Sequence, residues 1–299
     1  MKSLWRSLLF TAALVPLAPL TAAQQAVDKK LPAAPDVAVD VENPGGTVKV
    51  TGWDREEVQV TGRLDRRADG LEFDGGPRRI RVGVESYGPG FGFDSDLEIR
   101  VPHGARVSID GFSTEIEVRD VHGAVEAESV NGSMRVSGSR GAVDLETVNG
   151  SVEFDGPATR VRASSVNGRV IVRGASGVVD AETVNGPLEV VGGTFSRADL
   201  ETVNGSVLFG GTLAKGAVLD VESVSGDVEL RLGAPVDADF TIGTFSGRVD
   251  NRLSDARAEK VSRWTEEKEL RFSVGGGSAK VSIETLSGSI TLGTDGNKK

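Results

Sequence analysis

The chain has 299 residues, 38% of them apolar, with a formal charge of −10 and no cysteine. Such acidity excludes a nucleic-acid or anionic-membrane surface, because those partners select basic patches. The lack of thiols excludes disulfides, a lipid-modified cysteine and cysteine chemistry, so packing and backbone hydrogen bonds must supply the stability.

Residues 1–23 contain Lys2 and Arg6, an apolar run from Leu8 to Leu20, and the small residues Thr21, Ala22 and Ala23. This is the layout of a secretory signal peptide whose apolar core is too short to span a bilayer. Export to the periplasm, the cell surface or the medium is expected. No later stretch reaches spanning length, so no membrane span is expected in the mature chain. Residues 24–35 read as a disordered leader. Residues 36–96 read as N-terminal strands followed by an irregular cap or loop. Within them Gly46-Thr47-Val48-Lys49-Val50 alternates as a strand does, whereas Gly70 to Asp96 is rich in glycine, arginine and aromatic residues.

Residues 97–250 are governed by a repeat. Val-Asn-Gly recurs with its asparagines at Asn131, Asn149, Asn167, Asn185 and Asn204, in steps of 18, 18, 18 and 19 residues. Degenerate copies follow at Val224-Ser225-Gly226, Phe245-Ser246-Gly247 and Leu286-Ser287-Gly288. Around Asn149, Val143, Leu145 and Thr147 alternate with Asp144 and Glu146, and Val152 and Phe154 alternate with Glu153 and Asp155. Period-2 alternation broken by turn residues predicts two short strands per unit. Residues 251–277 leave the period as an insertion or excursion; Ala256 to Lys268 is charged and fits a short helix or a wide detour. Residues 278–293 return to it as a final coil, and 294–299 form a polar tail.

Two folds fit these units. Asn-Gly between alternating runs is a hairpin signal, so an antiparallel meander competes with a parallel solenoid. The meander would be apolar over one whole face, and its closed outer-membrane form needs longer strands and aromatic girdles. A solenoid buries both inward faces directly and stacks each unit on the next. The expectation is therefore an all-β, single-chain parallel β-solenoid, β-helix-like, with about 18–21 residues per coil.

Stacking at about 4.8 Å per strand turns repeated residues into columns. Asn131, Asn149, Asn167, Asn185 and Asn204 are expected to form an amide ladder, and each following glycine is read as permitting positive φ. Ser129, Thr147, Ser165, Thr183, Thr202 and Ser223 precede the corner valine in inward phase, as a hydroxyl column. Outward columns hold Glu128, Glu146, Glu182, Glu201 and Glu222, and beside them Asp144, Asp180, Asp199 and Asp220. Ser164 and Arg162 interrupt these runs. The acidic face is the one chemically distinctive surface, a loose calcium site or a solvated face.

The stretch Leu97-Glu98-Ile99-Arg100-Val101-Pro102 and the ending Ile283-Glu284-Thr285-Leu286-Ser287-Gly288-Ser289-Ile290-Thr291-Leu292 resemble the bacterial putative adhesin family with β-strand repeats, whose unit is called the toastrack domain. The resemblance spans about Asp36 to Leu292. It implies a β-helix-like solenoid of the cell envelope or surface, and related domains accompany envelope-stress membrane proteins.

No catalytic, cofactor or metal residue is predicted. The carboxylates repeat one another, and none is singled out as a glycosidase acid would be. His103 and His122 have no partner at ligand spacing, and no nucleophile elbow or phosphate loop occurs. Trp53, Trp264, Tyr87, Phe91 and Phe93 lie in the irregular segments, where aromatics either pack over the solenoid ends or bind a partner, and Tyr87, Phe91 and Phe93 form the possible loop binding surface. The expected role is a non-enzymatic, adhesin-like or scaffold module meeting an envelope or surface protein or glycan. A ligand-sensing module linked to envelope stress is the alternative, and a polysaccharide-active enzyme stands third.

Overall fold

Alternating apolar and polar residues dictate strands throughout. Among the residues described by the computed structural model (25–86, 94–262 and 266–295) no helix forms. The signal segment 1–23, the Tyr87, Phe91 and Phe93 loop and Trp264 lie outside the described residues.

The N-terminal end contains β1 (Gln25–Pro32), β2 (Ala38–Trp53), β3 (Glu57–Leu64), β4 (Ala68–Gly76), β5 (Arg79–Ser86), β6 (Ser95–Pro102) and β7 (Arg106–Arg119). β2 bends into a complete coil, which pairs in parallel with β7 on one side and with β5 and β6 on the other. The coil made by β5 and β6 is therefore the outermost, although β2 precedes it in sequence. β3 lies antiparallel on β6, β4 antiparallel on β5, and β1 antiparallel on β3. Two expectations are corrected here. The leader 24–35 is not disordered over 25–32, because Val27 is buried, Leu31 packs on the core, and β3 offers a full edge of backbone partners. Gly70 to Asp96 is not irregular over its described part, since its first half is the β4–β5 hairpin.

The middle winds as the repeat predicts. Each coil is a longer and a shorter strand: β8 (Val125–Asn131) with β9 (Met134–Ser137), β10 (Ala142–Asn149) with β11 (Val152–Asp155), and β12 (Arg160–Asn167) with β13 (Val170–Arg173). β14 (Gly177–Asn185) follows, then the bent strands β15 (Leu188–Asn204) and β16 (Val207–Ser225), and β17 (Val228–Leu232). All these pairings are parallel and, apart from register shifts at Gly177–Val178 and between Val191 and Arg197, aligned, with Val143 between Val125 and Val161 and Phe154 between Val136 and Val172. The inward positions are buried from Val125 to Leu230. Full burial of an aliphatic or phenyl side chain stabilises by about 1.5–3 kcal/mol, and the columns repeat that contribution coil after coil.

At the C-terminal end come β18 (Ala238–Ser246), β19 (Val249–Asn251), β20 (Glu259–Lys260), β21 (Lys268–Val274), β22 (Ala279–Ser287) and β23 (Ile290–Thr294). The last coil in sequence is not the last in the stack. β22 pairs in parallel with β16 on one side and β18 on the other, and β23 lies between β17 and β19. The excursion 251–277 forms no helix in its described residues; it returns as β21, antiparallel on β18, with β20 antiparallel on β21. Both ends of the parallel stack are thus closed by antiparallel strands, which occupy edges that would otherwise template further pairing.

Candidate binding groove

The Val-Asn-Gly repeats place Glu outward (Ser164 in one of them), Ser or Thr inward, Val outward and Asn at the bend. The strand alternation runs one residue too far before the corner, and this leaves the valine in solvent. In stack order the stripe reads Val130, Val148, Val166, Val184, Val203, Val224, Leu286 and Phe245, each 37–54% exposed. With Val261, these are all the large apolar side chains that the described fold leaves exposed. The repeat contained this signal, because an inward hydroxyl column forces its valine neighbours outward, yet the sequence reading did not draw it.

Between the valine stripe and the glutamate column runs a groove of about 770 Å³. Glu146, Glu182, Glu201, Glu222 and Glu284 form one wall, the valines from Val166 to Val224 with Leu286 and Phe245 the other, and the Ser and Thr positions between them, whose hydroxyls turn inward, the floor. The floor is tied to the coil beneath: Thr147, Ser165 and Thr183 donate to the corner carbonyls of Gly132, Gly150 and Gly168 at 3.0, 2.8 and 2.9 Å. Further along, the buried hydroxyls of Thr202, Ser223 and Thr285 have no partner. The antiparallel cap closes this end with Val261, Glu267 and Lys268, whose ammonium donates to the Gly247 carbonyl.

The asparagines form a continuous ladder beside the valines. Each Nδ2 donates to the Oδ1 of the previous coil, from Asn149 to Asn131 and Asn167 to Asn149 at 2.9 Å, and from Asn185 to Asn167 and Asn204 to Asn185 at 3.0 Å. The glycines that follow serve a purpose other than the one expected. Gly132, Gly150, Gly168, Gly186 and Gly205 are not in the positive-φ region. A Cβ on any of the last four would instead lie 1.8–2.1 Å from the carbonyl oxygen of the corner glycine below. Clearance, not dihedral freedom, excludes a side chain there.

The two acidic columns are separated by their neighbours. Asp144, Asp180 and Asp199 line a second groove of about 830 Å³ together with Arg79, Arg106, Arg160, Arg162 and Arg197. Arg197 pairs with Asp199 at 2.7 Å and Arg162 reaches Asp180 at 3.9 Å. Glu128 and Asp220 line neither groove. Glutamates of the valine groove meet each other: Glu182 stands beside Glu201 in the register, and Glu201 beside Glu222. Lost hydration, then the Asp180 and Glu201 charges, push the Glu182 carboxyl above its ordinary value. Glu128 is raised in the same way, by lost hydration and then by Asp110 and Glu146.

His103 and His122 stack on each other, their ring centroids 4.9 Å apart. Among the described residues no cluster of three or more acidic or histidine side chains is arranged to hold a metal. Trp53 packs at the N-terminal end, its indole donating to the Glu57 carbonyl and its face covered by the Arg55 and Arg100 guanidinium groups.

The sequence pattern of the Toastrack DUF4097 family matches residues 36–293. No curated protein matches the chain. Among solved structures, the chain is similar to a "putative adhesin" from Bacteroides fragilis, at 8% identity over 91% of this chain and 98% of that one, with a TM-score of 0.43. It is also similar to a "putative lipid binding protein" from Parabacteroides distasonis, at 13% identity over 89% and 96%, with a TM-score of 0.42.

Proposed function

Because the chain belongs to the Toastrack DUF4097 family, we propose that it is an exported, non-enzymatic binding scaffold of the bacterial envelope, adhesin-like in holding a partner along one side. The observation carrying this reading is the groove, where the exposed large apolar side chains of the described fold are concentrated. Soluble proteins seldom expose long contiguous apolar patches without a partner to cover them. A second support is the sameness of the carboxylates. Acid–base catalysis needs two groups whose environments set their pKa values apart, whereas Glu182 and Glu128 shift in the same direction for the same causes, and Glu128 lies outside the groove. Lost hydration first, and neighbouring carboxylates second, explain both shifts. The signal-like segment supports export, and no helix among the described residues is long and apolar enough to cross a membrane.

The test is binding of the full exported chain to envelopes isolated from the organism that makes it. Saturable binding is expected, weakened about tenfold by the combined substitution Val184→Ser, Val203→Ser and Val224→Ser, which removes buried contact area without touching the core. An absence of binding, or binding indifferent to the three serines, overturns the reading.

A further inference from the structure

We infer that the groove receives an extended polypeptide segment whose residues alternate between basic and aliphatic, an inference that rests on the binding reading above and names its partner. Charge comes first. Among the described residues, seven glutamates line the groove against one lysine, Lys268. An anionic polymer is repelled by such a wall, and a cationic one is drawn to it.

Shape comes next. The carboxylates and the aliphatic stripe stand on opposite walls, so an occupant must present charge to one side and apolar groups to the other. An extended chain does this inherently, because successive side chains point in opposite directions. From Glu146 through Glu284 to Gly243 the lining covers seven coils. Six steps of about 4.8 Å span roughly 29 Å, which about nine extended residues cover at about 3.3 Å each. A glycan fits less well, since sugars are held by aromatic faces and Phe245 is the one aromatic residue among the described lining.

The cap adds independent support. At the closed end the molecule already seats a lysine of its own: Lys268 lies opposite Thr244 in the register and donates to the corner carbonyl of Gly247. With Val261 beside it, the cap supplies the basic and aliphatic pairing expected of the partner.

One consequence concerns specificity. Carboxylates recur about every 4.8 Å, whereas side chains on one edge of a strand recur about every 6.6 Å. No single register is favoured, so the site selects the alternation rather than a defined sequence.

The experiment measures the full exported chain binding a labelled nine-residue peptide of alternating Lys and Val, by fluorescence anisotropy at low and physiological ionic strength. A block peptide of the same composition, five Lys followed by four Val, is the control. The alternating peptide is expected to bind about tenfold more tightly than the block peptide, and to weaken with salt. Glu182→Gln combined with Glu201→Gln and Glu222→Gln is expected to weaken it about tenfold. These changes relieve repulsion, so the fold is retained, which circular dichroism checks. Equal affinity for the two peptides, or no effect of the three glutamines, overturns the inference. Envelope binding without peptide binding defeats this inference alone, whereas failure of both defeats the binding reading as well.

Discussion

Gly168 lies so close to Gly150 of the coil below that a methyl group on Gly168 would sit 1.9 Å from the Gly150 carbonyl oxygen. The nearest obstacle is the Gly150 backbone itself, which has no flexible end to yield. Gly168→Ala is therefore expected to cost about 3 kcal/mol, at the upper end of overpacking effects, and to lower Tm by roughly 6–12 °C for a chain of this size. Gly243→Ala is the control. Nothing lies within 4 Å of its Cβ position and its φ is ordinary, so alanine there is expected to be neutral or to stabilise by about 0.5 kcal/mol. Thermal melts of the two variants decide the matter, and an equal loss in both would remove the clearance argument.

The asparagine ladder predicts a graded series. Asn167 both accepts from Asn185 and donates to Asn149, whereas Asn204 donates to Asn185 and is followed in the next coil by Ser225. Each exposed amide bond is worth about 0.5–1 kcal/mol net. Asn167→Ala is expected to cost about twice as much as Asn204→Ala in chemical denaturation. Equal costs would mean that the side chains act through the turn itself and not through the ladder.

These two features mark what was legible from residues alone. The columns were legible because a fixed period makes every coil present the same residue at the same place, and Asn131 to Asn204 needed only stacking to become a ladder. The purpose of the corner glycines was not, since clearance against Gly150 depends on how closely two backbones approach. The order of coils at the ends was hidden for the same reason that the middle was clear. Coils with interchangeable columns can stack in any order, so nothing local announces that β22 lies between β16 and β18. The valine stripe was legible in principle, from the inward phase of Thr147 and its neighbours.

Glu182 predicts a pH dependence. Its carboxyl is raised above 4.5 by lost hydration, then by Asp180 and Glu201. A raised acid binds its proton more tightly when folded, so its favourable contribution is complete below pH 4.5 and is lost as pH rises through the folded value. Glu182→Gln is therefore expected to raise Tm at neutral pH, with the gain shrinking towards zero below about pH 4.5. A gain that persists unchanged at pH 4 would show that the side chain's packing, and not its charge, sets the effect.

Ile283 tests the stacking order. It is fully buried in β22, opposite Val221 of β16 and Ile242 of β18. Ile283→Ala leaves a cavity shared by two coils and is expected to cost about 3 kcal/mol. In a solenoid, stability passes chiefly between stacked neighbours, so local opening is expected to spread to both contacts of the altered coil. Hydrogen exchange in the variant should therefore quicken in β16 and in β18 while β8 to β12 stay protected. Quickening in β18 with β16 unchanged would place the last coil outside the stack, and the intercalated order would fail.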